Sequence, residues 1–255
     1  MKPIDLTGAV AVVTGASRGI GRAAALAFAR AGAQIVCTAR STAATPSKIP
    51  GTIDEVAEQV RALGRGALAV RCDISQEEQV EALAQCTLDE FGRIDILVNN
   101  AAVNFRAPFA ETPMKRWDLV LNVNLRGSVL CTKAFLPHML KRGSGSIVNV
   151  SSGAVNPELA LGIVPYAVSK AGLEMLTRAL ALELRPHHIA VNGLRIETSV
   201  ASEGAVFFNP EAVSPDWDTP EAVGADIFWL ATRAPSFTGH VLTMAEVRAA
   251  MEKTA

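Results

Sequence analysis

Tyrosine is all but missing from this chain: Tyr166 is the one example in 255 residues, and aromatic residues together make up 5%. Cysteine is sparse and scattered. Cys37, Cys72, Cys86 and Cys131 form no C-x-x-C pair, which leaves them as structural thiols of a reducing compartment. Histidine offers no metal site: His138, His187, His188 and His240 contain no H-x-x-x-H pair, and adjacent residues diverge on a helix. Neither sign of charge dominates. With 24 Lys+Arg against 25 Asp+Glu the formal net charge is −1, so nothing electrostatic selects nucleic acid or an anionic membrane as partner. No apolar run reaches the roughly 18 residues of a membrane span. Met1 to Val13 carries Asp5 and no long apolar core, unlike a secretory leader. The expectation is a soluble, cytoplasmic protein. Repeats, low-complexity tracts and interdomain linkers are lacking as well.

What is present is alternation. Ala9–Thr14, Gln34–Ala39, Ala67–Arg71, Ile94–Val98, Ser146–Val150, Ile189–Leu194 and Val241–Met244 are short apolar runs that read as strands. Between them, Ile20–Ala31, Ile53–Leu63, Gln76–Phe91, Pro113–Leu140 (one or two helices), Tyr166–Leu184 and Pro220–Thr232 have helical spacing, and Gly92 stands as a C-terminal stop. Strands that are apolar throughout belong to a sheet covered on both faces. Strand–helix alternation with short connections gives parallel βαβ units with right-handed crossovers. The expected fold is α/β: a single doubly wound, Rossmann-type, mostly parallel sheet spanning 1–255. With 49% hydrophobic residues, a chain of this length buries roughly three quarters of its unfolded surface and needs no staples.

The first strand runs into Thr14-Gly15-Ala16-Ser17-Arg18-Gly19-Ile20-Gly21 and then a helix. Gly15 permits a tight turn, Gly19 lets backbone approach a pyrophosphate, and Gly21 allows close helix–strand packing. The helix N-terminus adds unpaired N–H groups and partial positive charge. The spacing is G-x-x-x-G-x-G rather than the broader G-x-G-x-x-G. After the second strand, a carboxylate would favour NAD by holding its ribose. Here Ala39 is followed by Arg40, and Arg18 supplies a second cation, so two guanidinium groups favour NADP(H) over NAD(H). Asp73, in Cys72-Asp73-Ile74, is placed either to accept from an adenine amino group or to cap the following helix.

Tyr166 and Lys170 lie four apart on one helix face. A phenol with pKa about 10 is a poor catalyst at neutral pH, and a neighbouring ammonium favours the phenolate. Ser151-Ser152 ends a strand at its carboxyl edge, where ligands bind in open α/β sheets. Asn124 falls inside a helix, where asparagine is unfavourable without a task.

This ordered set, with Asn99-Asn100-Ala101, resembles the short-chain dehydrogenase/reductase family from about Thr7 to Met244. The resemblance implies that Tyr166 donates and accepts the proton. It implies that Lys170 binds the nicotinamide ribose and tunes the tyrosine, that Ser152 orients the carbonyl, and that Asn124 holds a water of a proton relay. Gly15, Ser17, Arg18, Gly19, Ile20 and Gly21 would hold the pyrophosphate side. Arg40, Asp73, Ile74, Asn100 and Ala101 would line the adenosine side, and Thr198 and Val200 the carboxamide. A narrower likeness, through Ile49-Pro50-Gly51-Thr52-Ile53 and Ser236-Phe237-Thr238-Gly239, is to the hydroxysteroid-dehydrogenase-like branch, which includes citronellol dehydrogenases. Two positions depart from the family pattern. Ala102 replaces a glycine, and Ile196-Glu197 replaces Pro-Gly after the sixth strand.

Three segments are placed to cover the nicotinamide: 103–113, 153–165 and a lid around 197–219. They carry Val155, Leu159, Leu161, Ile163, Val164, Val206, Phe207, Phe208 and Trp217, which suit either an apolar ketone or alcohol pocket or packing against the body. Two readings of function follow. One is an oxidoreductase exchanging hydride with a ketone or secondary alcohol; the other is a nucleotide-binding regulator or scaffold with little turnover. By the same resemblance, the long helices would form a homodimer or homotetramer.

Overall fold

In the computed structural model residues 4–254 are described; Met1, Lys2 and Pro3 of the stretch judged for a leader, and Ala255, lie outside them. The elements follow as β1 (Val10–Thr14), α1 (Gly19–Arg30), β2 (Gln34–Ala39), α2 (Ile53–Ala62), β3 (Ala67–Arg71), α3 (Glu77–Phe91) and β4 (Ile96–Asn99). Next come α4 (Met114–Leu121), a π-helical turn (Asn122–Arg126), α5 (Gly127–Arg142), β5 (Gly145–Ser152), α6 (Val164–Leu184) and β6 (Ile189–Ile196). The chain continues through α7 (Glu203–Phe208), α8 (Pro220–Ala231), β7 (Val241–Thr243) and α9 (Met244–Thr254). Among the described residues seven strands pair in parallel in the order β3-β2-β1-β4-β5-β6-β7.

The uniform apolarity of the strands is explained by two cores, one on each face. Ala11 and Val13 of β1 point into the layer of Phe28, Val56, Val223, Ile227 and Leu230, from α1, α2 and α8. Val10 and Val12 point into the other, with Leu83, Phe135, Met139 and Leu184 from α3, α5 and α6. Alternate residues of one strand thus bury on opposite sides, as a doubly covered parallel sheet requires. Sequence order reverses between β1 and β4. Loops leave in opposite directions there, and a crevice opens at the carboxyl ends of the strands.

Two helices escaped the sequence pattern. The six-residue α7 lies inside the lid, and α9 continues directly from the last strand. Thr243 and Glu246 form a reciprocal cap at the start of α9, the Thr243 N–H donating to the Glu246 carboxylate and the Glu246 N–H to the Thr243 hydroxyl. Val247 is fully buried from that helix. Cys37, Cys72 and Cys131 are buried, and burial pushes all three thiols up, Cys37 to about 12 and Cys72 to about 11. No helix among the described residues is long and apolar enough to cross a membrane.

Candidate active site

The crevice between β1 and β4 is closed at its base by Thr14, which is fully buried. Its hydroxyl accepts from the backbone N–H groups of Asn100 (2.9 Å) and Ala101 (3.1 Å) and donates to the Val98 carbonyl (3.1 Å). The Asn100 side chain in turn donates to the Thr14 carbonyl at 2.8 Å. Gly15 follows with φ +67°, in a space where a Cβ would come within 2.9 Å of Ala101 Cα. A Cβ on Gly21 would collide with the Gly15 carbonyl, so α1 can start this close to the turn only with glycine there. The turn fits an anion. Its Gly19 N–H already donates to a carboxylate oxygen, Glu203 Oε2, at 2.7 Å, the kind of atom a phosphate would present.

At the end of β2, one Arg18 nitrogen donates to the Ser41 hydroxyl (3.0 Å), the Ser47 hydroxyl (2.8 Å) and the Gly51 carbonyl (2.9 Å). Arg40 is exposed, 3.9 Å from Asp73 Oδ2. The other Asp73 oxygen accepts from the backbone and hydroxyl of Ser75, so Asp73 shapes its own turn while leaving Oδ2 beside the cation. Ile74 is buried and packs at the start of α5, and Ser17 is buried within the glycine turn. Ser41, Ser47 and Thr14 were not among the expected site residues. Thr14 sits at a strand end and Ser41 beside Arg40, whereas no local sequence signal marks Ser47.

The chemical end assembles at the carboxyl edge of β5. Lys170 is 2% exposed, and its Nζ donates to the Val150 carbonyl at 2.6 Å, 5.5 Å from the centre of the Tyr166 ring. Burial lowers its pKa from 10.5 to about 8. Burial raises the Tyr166 phenol, while a hydrogen bond with Ser152 opposes the rise. The Ser152 hydroxyl also accepts from the Ala154 N–H at 3.2 Å, which leaves its proton for another acceptor.

Asn124 is buried in the π-helical turn, and its amide clips the loop after β4. The Val103 N–H donates to Asn124 Oδ1 (2.8 Å), while Nδ2 donates to the Val103 carbonyl (2.9 Å) and the Ser169 hydroxyl (3.1 Å). Ser169 donates to the Tyr166 carbonyl at 2.7 Å, so the clip ends on the helix that carries the phenol.

Ser152 and Tyr166 line a cavity of about 480 Å³ together with Ala102, Val103, Ile163, Val200, Ala205 and Trp217. Asn104, Ser199 and Asn209 add polar groups. The Thr198 hydroxyl points elsewhere and donates to Asp218 at 2.6 Å, whereas Ser199 and Val200 face the cavity. Replacement of Pro-Gly by Ile196-Glu197 lets β6 run on to pair Ile196 with Ser152, a register that proline would have ended. Ala102 adopts ordinary backbone, since His188 is the one described non-glycine residue with positive φ, so its extra methyl is unstrained. Leu159, Leu161 and Phe208 are exposed at the surface.

A phosphate turn at the sheet reversal and a Ser–Tyr–Lys group at the neighbouring strand end are matched by a family model, described as short chain dehydrogenase, over residues 9–200. The chain belongs to the short-chain dehydrogenase/reductase family. A putative dehydrogenase from Xanthomonas campestris is 38% identical with a TM-score of 0.87, over 99% of this chain and 92% of that one. A putative NAD(P)-dependent gluconate 5-dehydrogenase from Beutenbergia cavernae, solved with NADP at low occupancy, is 34% identical with a TM-score of 0.82, over 95% of this chain and 97% of that one. Hydroxysteroid dehydrogenase-like protein 2 from Bos taurus is 35% identical over 93% of this chain and 56% of its own length. The chain thus spans about half the length of the curated relatives it matches. The family model and the dehydrogenase neighbours support an oxidoreductase reading of the domain they cover.

Proposed function

We propose that the chain is an NADP(H)-preferring oxidoreductase for an apolar ketone/secondary-alcohol pair. The observation that carries the reading is the meeting of Ser152 and Tyr166 on one cavity wall, with Lys170 buried behind the phenol. When bound, the nicotinamide supplies or accepts the hydride. The chain does the rest. Gly15, Ser17, Arg18, Gly19, Ile20 and Gly21 would hold the pyrophosphate, and Arg18 and Arg40 the 2′-phosphate, with Ser41 and Ser47 fixing the Arg18 guanidinium. Asp73, Ile74, Asn100 and Ala101 would border the adenosine, and Ser199 and Val200 the carboxamide.

In reduction, the Ser152 hydroxyl donates to the substrate oxygen and Tyr166 delivers the proton; in oxidation Tyr166 takes it back. The cationic Lys170 stabilises the phenolate left in between. Asn124 holds the Val103 wall against the Tyr166 helix, where its π-turn backbone would carry the relay water. An apolar substrate is supported by Val103, Ile163, Val200, Ala205 and Trp217, with Asn104 and Asn209 able to hold one further oxygen. NADP at low occupancy in the Beutenbergia cavernae structure supports the cofactor choice.

The test is consumption of NADPH and NADH with a panel of apolar ketones and hydroxyketones. Turnover with NADPH is expected. Tight binding without turnover across the panel would leave a nucleotide-binding regulator instead.

A further inference from the structure

The N-terminus of α1 has no cap of its own. Arg18, the capping position, makes no side-chain bond there, and the first turn contains no acidic residue. The missing anion comes from the lid. Glu203 Oε2 accepts from the Gly19 N–H at 2.7 Å, and Oε1 pairs with Arg22, one turn into the helix, at 3.2 Å. The lid also touches the turn through Ser202, whose Cβ is 3.0 Å from where a Cβ on Gly19 would lie. Both ends of the lid are tied down: the Ala201 N–H donates to the Asp218 carbonyl and the Asp218 N–H to the Ser199 carbonyl, each at 2.9 Å. The helix between those ties is held differently. None of the residues of α7 is fully buried, and Val206 and Phe207, with Pro50, border a cavity of about 330 Å³ instead of sealing it.

We propose that Glu203 is a built-in competitor of the cofactor pyrophosphate, which latches the lid to the phosphate turn until a dinucleotide displaces it. The proposal rests on the dinucleotide reading given above. One N–H cannot serve a carboxylate and a phosphate together, and two anions at one helix N-terminus repel each other. Cofactor entry therefore requires Glu203 to leave Gly19 and α7 to lift about its tied ends. Because a charge contact rather than apolar packing holds α7 down, a diphosphate is suited to break it. The latch lowers affinity for any ligand that brings a pyrophosphate and leaves other ligands of the crevice alone.

The experiment measures dissociation constants of NADPH, NADH and adenosine 2′-monophosphate, which lacks the pyrophosphate, for the wild type, Glu203→Ala and Glu203→Gln. Glu203→Ala should tighten both dinucleotides about tenfold, the size of an anion's contribution at a helix N-terminus plus a partly buried ion pair. Glu203→Gln should tighten them less, since its amide oxygen can still accept from Gly19. Adenosine 2′-monophosphate should bind all three proteins equally, and hydrogen exchange across 203–208 should rise in both variants without cofactor. Unchanged or weaker dinucleotide binding by Glu203→Ala overturns the latch, as does equal tightening of the monophosphate. If neither the wild type nor the variants bind a dinucleotide, the cofactor reading itself is overturned.

Discussion

At the scale of single residues, a buried amine and a buried phenol each resist the charge that catalysis asks of them. For Lys170 the drop from 10.5 to about 8 corresponds to ~3 kcal/mol of preference for the neutral amine. The folded state therefore binds this proton less tightly than the unfolded chain. The resulting penalty is full below pH about 8, shrinks as pH rises and is gone above 10.5. Lys170→Met, which removes the charge but keeps the length, should raise the melting temperature at pH 7 while turnover collapses; equal or lower stability would refute the burial penalty. Tyr166 offers a second check. Tyr166→Phe should fold normally and lose about 10²- to 10⁴-fold in turnover, the usual share of a general acid–base. Alkaline titration of the cofactor-free protein should show a single tyrosinate forming above the ordinary phenol value, because burial raises it. These residues were legible in the sequence, since the Tyr–Lys spacing of one helical turn fixes a shared face whatever surrounds it. Glu203 was not, because its partner Gly19 lies 184 positions away and no local pattern links them.

At the scale of elements, the phosphate turn and α6 followed from local rules, whereas the loops did not. Thr198 and Ser199 show why. Thr198 turns its hydroxyl to Asp218 twenty positions on while Ser199 faces the cavity, and such a choice between neighbours depends on partners distant in sequence. The π-helical turn is similar: the sequence left one or two helices open, and the widened turn holds Asn124, whose amide bonds Val103 twenty-one positions away. In the proposed function the loop from β2 to α2 carries the cofactor choice. Arg40→Ala should weaken NADPH binding about 10- to 100-fold, as for a lost charge-assisted contact, and leave NADH nearly unchanged. Equal losses, measured by fluorescence titration, would show that Arg40 does not read the 2′-phosphate.

At the scale of the whole molecule, α6 presents Val168, Met175 and Leu182 to solvent at a spacing of seven, exposed by 47%, 65% and 68%. A stripe of that kind suits a second copy of the same helix. Met175→Asp with Leu182→Asp should reduce the sedimentation coefficient to that of a monomer of 26.9 kDa, whereas an unchanged value would place the contact elsewhere. The sheet was legible as a whole because its strands are apolar on both faces, whereas their order, β3-β2-β1-β4-β5-β6-β7, rests on long-range pairing that no local pattern carries. That order also governs how the protein is made. β1 pairs with β2 on one side and with β4 on the other, and Val12 meets Leu97 across 85 positions of chain. Until β4 has been made, one edge of β1 stays unpaired, and the wall of the crevice, Asn100 and Ala101, does not yet exist. The crevice between β1 and β4 thus cannot close before residue 101 has been made, and the nascent first third of the chain is the stage at which a chaperone would find most to hold.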